Sequence, residues 1–263
     1  MRLSNLLNYT FSLPRYRHLV PWVLVAVVIF ILFSSVVRQQ REFIAGIQVN
    51  IRPLESGASL LRESDVRQRL ILAFGNALRN MEIGQIDLYR IERVVEEDPF
   101  VAQADAYLSQ DGVLHIRIKQ REPVLRVLDN EGSNYYLDQT GAMMPFSRAY
   151  TPRVLVATGN ISPYTQDFMS KNKNILKDVF SLANILREDP VWSIFIQQIH
   201  VNQAGEFILV PLIGNQKILL GSLQHIEAKL KRLKVFYQQG MPYVGWRKYQ
   251  AISLKYNGQI VCW

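Results

Sequence analysis

Residues Leu19 to Val37, LVPWVLVAVVIFILFSSVV, contain no charged side chain. A bilayer core takes about 20 mostly apolar residues as a helix, and no other stretch of the chain could span one. Arg15, Arg17 and His18 precede the run; Arg38, Arg41 and Glu42 follow it. A tail, residues 1–18, then lies on one side and residues 38–263 on the other. The tail carries Arg2, Arg15 and Arg17 and no acid, so the positive-inside bias keeps it in the cytoplasm. A cleaved signal peptide would have a shorter apolar stretch ending in a small-x-small site, and Ser34-Ser35-Val36-Val37-Arg38 is a poor one. Pro21 falls in the first turn, where a missing N–H costs little, and Trp22 suits the headgroup level. The expectation is a single transmembrane helix over 19–37.

Beyond it the chain is long enough for one or two domains, and 49% hydrophobic residues supply a core. The formal charge of +8 is spread out, without the clustered stripe that nucleic acid demands; it reads as a solvated basic surface near anionic lipid. The one cysteine, Cys262, permits no internal disulfide, and a domain of this size folds without one.

Residues 38–46 read as a short polar connector. Ile47, Val49 and Ile51 alternate with polar neighbours as a strand, broken by Pro53 and Gly57. Glu63 to Phe74 has helical spacing at Val66, Leu70 and Phe74, with Ile71 and Ala73 widening the stripe and Glu63 or Ser64 near the cap. Asp87 caps a second helix that buries Leu88, Ile91, Val94 and Val95 and stops at Asp98-Pro99. Val101 to Leu108 follows as a strand with Ala102, Ala104 and Ala106 on one face. Gln110-Asp111-Gly112 signals a hairpin, and Val113 to Lys119 alternates as its second strand.

The second half is richer in strands. Val124–Val127, Asn134–Leu137, Ala142–Pro145 and Val154–Ala157 are short strand candidates. Thr165 to Glu188 is a long amphipathic segment with Phe168, Leu176, Val179, Ala183 and Leu186 on one face. Strands return at Ile196–Val201, Glu206–Pro211 and Lys217–Leu220, and a helix at His225–Tyr237 buries Ile226, Leu230, Leu233 and Phe236. The chain closes with Ala251–Tyr256, an Asn257-Gly258 turn and Gln259–Trp263; Asn-Gly between alternating runs is a strong hairpin signal. The fold class is α+β: a β-α-α-β-β module over 47–121 and a strand-rich domain over 122–263.

A strand-helix-helix-strand-strand module after an anchor looks like a POTRA domain. The run Asp98-Pro99-Phe100-Val101-Ala102-Gln103-Ala104, then Leu114-His115-Ile116-Arg117-Ile118, then Arg121-Glu122-Pro123-Val124, resembles the POTRA-to-β-domain segment of the FtsQ/DivIB family of bacterial cell-division proteins. Tyr136-Leu137-Asp138-Gln139-Thr140-Gly141, Leu219-Leu220-Gly221 and Ile252-Ser253-Leu254-Lys255-Tyr256-Asn257-Gly258 sit where that family has similar turns. Phe100 stands where the family often has Trp, and Ser109 to Gly112 lacks its common Arg/Pro turn. The resemblance implies a non-enzymatic scaffold of the inner membrane at the division septum, needing no cofactor, that recruits and regulates septal wall synthesis. It implies capture of FtsB- and FtsL-like partners at the C-terminal strand edge, through Ser253, Tyr256, Gly258, Gln259, Val261 and Trp263. FtsK and FtsW would meet the POTRA module or the anchor. The alternative is a membrane-anchored POTRA chaperone or transport adaptor for envelope proteins, but residues 124–263 show neither a barrel's strand pattern nor repeats.

The residues themselves give little to catalysis. His18, His115, His200 and His225 share no metal-ligand spacing. Ser170-Lys171-Asn172-Lys173 matches S-x-x-K without its K-T-G companion. Asp138-Gln139-Thr140-Gly141 has one residue too many for an Asp-Thr-Gly and reads as a turn. Glu96-Glu97-Asp98 reads as a solvated helix end, and Cys262 has no neighbouring histidine motif.

Overall fold

The computed structural model describes residues 21–22, 24–31, 43–75 and 81–263. Residues 21–22 and 24–31 are helical and exposed. Among the described residues no helix is long and apolar enough to cross a membrane. The rest of the expected span (19–20, 23 and 32–37), the tail 1–18 and residues 38–42 of the connector lie outside the described residues.

The first domain is built as β1 (Gly46–Arg52), α1 (Glu63–Phe74), α2 (Leu88–Glu96), β2 (Val101–Leu108) and β3 (Val113–Gln120). Its sheet has the order β1-β3-β2, with β1 parallel and β2 antiparallel to the central β3. Alternation along β3 puts Leu114, Ile116 and Ile118 wholly inside, against Val66 and Leu70 of α1 and Ile91 and Val95 of α2. Asp87 caps α2 as its position predicts, its carboxylate accepting from the Arg90 N–H at 3.0 Å.

Four expectations change here. Ile44 is buried in this core, so the connector's last residues belong to the domain. The α1 stripe is narrow, with Ile71 and Ala73 outside, because only Val66 and Leu70 point squarely at the sheet. A bulge between Val101 and Gln103 turns Ala102 outward while Ala104 and Ala106 stay inside. The acids at the end of α2 are structural: Glu96 accepts from the Ala104 N–H at 3.0 Å, and Glu92, a turn earlier, from Ala106 at 2.8 Å. Asp98 pairs with Arg69 at 2.9 Å. The carboxylates thus occupy donors on the outer edge of β2, which would otherwise invite another strand.

The second domain is one nine-stranded sheet, in the order β12-β11-β10-β9-β8-β7-β4-β5-β6. Its strands are β4 (Pro123–Asp129), β5 (Asn134–Asp138), β6 (Met143–Met144), β7 (Leu155–Gly159), β8 (Ile196–Val201), β9 (Phe207–Pro211), β10 (Lys217–Gly221), β11 (Ala251–Ser253) and β12 (Val261–Cys262). Three neighbour pairs are parallel and need crossovers: β4–β7, joined through β5 and β6, β7–β8 and β10–β11. Between β7 and β8 runs α3 (Ile175–Glu188), followed by the short α4 (Trp192–Phe195). Between β10 and β11 runs α5 (Ile226–Val235), which continues as a π-turn (Phe236–Gly240) and α6 (Met241–Val244). The expected long helix from Thr165 is shorter: Phe168 is buried in a single 3-10 turn, and α3 starts only where Asn174 caps it, accepting from the Lys177 N–H at 3.1 Å. On α5, Leu230 and Leu233 are buried as expected, but Lys229 and Tyr237 join them while Ile226 and Phe236 are only half-buried.

The two domains meet through a small core of Leu54, Leu60, Tyr136 and Met144. Buried Gln120, the last residue of β3, organises the junction. Its Oε1 accepts from the N–H groups of Leu60 (2.6 Å) and Leu61 (3.2 Å), and its Nε2 donates to the Arg52 carbonyl at 2.7 Å. Arg121 reaches across to Asp138 at 3.3 Å. The other Asp138 oxygen accepts from the N–H groups of Thr140 (2.8 Å) and Ala142 (2.9 Å), which fixes the tight turn read from Asp138-Gln139-Thr140-Gly141.

Candidate partner-binding edge

The Asn257-Gly258 pair does not close a two-residue hairpin. β11 and β12 pair antiparallel as Ile252–Cys262 and Ser253–Val261, and pairing ends there, so residues 254–260 form a loop. A type I′ turn needs positive φ at both central residues. Gly258 has φ 75°, whereas Asn257 does not adopt a positive φ. The Ala251–Tyr256 strand therefore stops at Ser253.

What remains is a short edge strand with a definite polarity. Ala251 and Trp263 exchange backbone hydrogen bonds, Trp263 N–H donating to the Ala251 carbonyl at 3.2 Å and Ala251 N–H to the Trp263 carbonyl at 3.1 Å. Antiparallel pairs alternate, so Cys262 between them points its N–H and C=O away from β11. β12 is also the last strand of the sheet. The backbone of Cys262 is thus free to pair with a tenth strand.

Side chains divide the two faces of this edge. Ile260 and Cys262 lean against the main core, and burial pushes the Cys262 thiol pKa up. Val261 and Trp263 project from the opposite face, 38% and 57% exposed. Beside Ile260, α5 overhangs the sheet and leaves an apolar groove of ≈ 510 Å³, lined by Ala228, Lys231, Arg232, Val235, Phe236 and Ile260, with Gly258 at its end. Lys229 fixes the helix there. Its ammonium donates to the Leu220 carbonyl at 3.0 Å and the Ser222 carbonyl at 2.7 Å, and burial pushes its pKa down. On the groove's wall the buried Nε of Arg232 has no hydrogen-bond partner. Lys231 and Arg232 make that wall positively charged.

Of the six residues expected to contact a partner, Tyr256, Gly258, Gln259, Val261 and Trp263 lie on the surface around this edge. Ser253 does not: it is buried on β11, one strand inward. A side chain added at Gly258 would meet nothing within 4 Å, so its positive φ, rather than close packing, is what calls for glycine there. Sequence reading missed the α5 wall. Its signal is Val235, an apolar residue 45% exposed and off the buried Leu230–Leu233 stripe.

The residues weighed for catalysis are scattered. His115 stacks on Tyr107 at 4.9 Å, His200 Nδ1 lies 2.9 Å from Thr158 Oγ1, and Ser170 Oγ donates to the Asp167 carbonyl at 2.8 Å.

With this geometry in view, two comparisons bear on the chain. Residues 122–263 match the family described as FtsQ/DivIB, C-terminal related, which is more than half of the sequence. The protein belongs to the FtsQ/DivIB family. Residues 45–119 match the POTRA-like domain, in agreement with the β1-α1-α2-β2-β3 order. A curated relative, the cell division protein FtsQ of Rhodothermus marinus, is 29% identical over 172 residues, 64% of this chain. The aligned part spans 62% of that relative's own length. The β12 edge and its groove lie inside the FtsQ/DivIB match.

Proposed function

We propose that this FtsQ/DivIB chain is a membrane-anchored scaffold of bacterial cell division, acting by binding rather than by catalysis. It is held at the cytoplasmic membrane by residues 19–37, with its bulk outside the cytoplasm at the septum. Its central act is capture of a strand from a small single-span partner of the FtsB kind, which brings an FtsL-like protein with it. FtsK- and FtsW-like proteins would meet the first domain or the anchor. Capture recruits and regulates septal peptidoglycan synthesis.

The observation that carries this reading is the outward-facing backbone of Cys262 beside an apolar groove. A strand laid along β12 gains main-chain hydrogen bonds and sets alternate side chains on the two faces of the sheet. One set enters the groove between Ile260 and Val235; the other lies beside Val261 and the Trp263 ring, an anchor of the type that dominates interface energy. The positive charges of Lys231 and Arg232 on the groove wall favour an acidic residue among those entering it.

The test is recovery of partners with the full chain from detergent-solubilised membranes. The native protein recovers FtsB- and FtsL-like partners, while Trp263→Ala, Tyr256→Ala and Arg232→Glu each recover less, with native circular dichroism. Undiminished recovery by all three variants would sink the strand-capture reading. Recovery of outer-membrane proteins instead would favour the chaperone alternative.

A further inference from the structure

We infer that one end of the first domain rests on the lipid surface, through an apolar rim made by Phe43, Ile71, Leu72 and Tyr89. The inference depends on residues 19–37 spanning the bilayer.

The rim is assembled by the topology. β1 leads away from the end where the chain enters at Phe43, and α1 returns toward it. Arg67 of α1 already donates to the Ile47 carbonyl near the start of β1, at 2.8 Å, and Ile71 and Leu72 lie a turn further along. Phe43 forms a bridge with Glu82, and Ala45 N–H donates to the Gly112 carbonyl at 2.9 Å. These bonds draw the segment before α2 and the β2–β3 hairpin to the same end. The Arg90 guanidinium sits 5.0 Å over the Phe74 ring, which joins the first turn of α2 to the last of α1.

These apolar side chains face outward. Leu72 is 80% exposed and Ile71 55%, side by side on one helix, and Phe43 and Tyr89 are also largely exposed. Exposed aliphatics at the end of the domain that also exposes Phe43 and Tyr89 make an apolar surface of the kind that marks a membrane or protein contact. The chain itself indicates which. Val37, the last residue of the apolar run, is six peptide units from Phe43, and extended backbone reaches at most about 20 Å over that length. The rim is therefore held within reach of the headgroups whatever path the connector takes. Aromatic rings and aliphatics with basic neighbours suit that interface. Arg90 and Arg93, the latter 5.7 Å over the Tyr89 ring, are placed to meet lipid phosphates. Glu82, Asp87 and Asp111 at the same end limit the contact to a shallow one. The end at which Gln120 joins the second domain is thereby directed away from the bilayer.

The experiment uses the full chain in lipid vesicles without partners, with Cys262→Ser removing the one native cysteine. An environment-sensitive fluorophore is attached at Leu72→Cys, at Tyr89→Cys, at Val28→Cys within the apolar run, or at Ile194→Cys, exposed on the second domain. Lipids carry a spin-label quencher near the headgroup for the three domain positions and deep in the acyl chain for Val28, which falls at mid-bilayer in a 19–37 span. The expected result is loss of fluorescence at Leu72, Tyr89 and Val28 and none at Ile194, unchanged on diluting protein in lipid. Loss at Val28 alone overturns the lipid contact and leaves the anchor standing. No loss at Val28 overturns the anchor and the contact with it. A Leu72 label whose emission is blue-shifted but unquenched by lipid, the shift vanishing on dilution, assigns the rim to a second copy of the chain instead.

Discussion

Replacing Cys262 by proline separates strand capture from folding. In the pairing of β11 with β12, the residues that exchange bonds are Ala251 and Trp263, and the Cys262 N–H points outward. Proline removes that N–H and fixes φ near −65°, which an edge strand tolerates when the lost donor faces solvent. The folded domain therefore loses no ladder bond, and its melting should fall by no more than the cost of the lost thiol packing, which Cys262→Ala measures separately. A captured strand loses one backbone hydrogen bond, and its own carbonyl stays buried and unpaired. At about 1–3 kcal/mol for such a group, the loss is about 2 kcal/mol, roughly thirtyfold in Kd. Val261→Pro provides the contrast, because the Val261 N–H faces Ser253 and its loss should detach β12 altogether. The assay is titration calorimetry of the purified chain against the FtsB-like partner's extracytoplasmic segment, alongside thermal melts. Unchanged affinity for Cys262→Pro, with a native melt, would refute strand addition at this edge.

Three further outcomes concern the framework that carries the edge. Gln120→Ala strands the buried N–H groups of Leu60 and Leu61, so urea unfolding should register a loss of about 2–4 kcal/mol. At Gly159, with φ +100°, a Cβ would lie 2.0 Å from the Val201 carbonyl oxygen; Gly159→Ala should break the β7–β8 pairing and leave little soluble protein on expression. Burial pushes the Tyr237 phenol up to about 12 against an ordinary value of 10.0. The unfolded chain ionises first, so stability falls as pH rises from about 10 to 12. Alkaline melts should show this slope in the native protein and a smaller one in Tyr237→Phe, which also loses the 3.1 Å bond from Gln216 Nε2.

Much of this was legible in the residues because it is local. Alternation at Leu114, Ile116 and Ile118 and the Asp87 cap define the first domain within a few neighbours' reach. Nothing along Val101–Leu108 warns of the bulge that expels Ala102, since a bulge answers the partner strand's register rather than its own sequence. The order of the nine-stranded sheet, with β7 set between β4 and β8, depends on contacts far apart in sequence. At the candidate site, the residues of the final segment could be named from the chain, and five of the six lie on the surface. Ser253 enters through the family resemblance, and its burial comes from pairing on both sides, with Leu219 of β10 and Val261 of β12, the first of which no local pattern shows. The α5 wall leaves one trace in the sequence, Val235 off the Leu230–Leu233 stripe, and its position beside the edge depends on contacts distant in sequence. Lys231, Arg232 and Val235 look like the outer face of an ordinary amphipathic helix until the β10–α5–β11 crossover brings them beside Ile260.

The central claim is that the free edge of β12 receives a partner strand. Hydrogen exchange of the Cys262 amide, followed by NMR with and without the FtsB-like partner, tests it most directly. The Trp263 amide already donates to Ala251 and should gain little protection on binding. The Cys262 amide should exchange quickly alone and be strongly protected in the complex. Binding that leaves the Cys262 amide exchanging at its free rate would contradict the account.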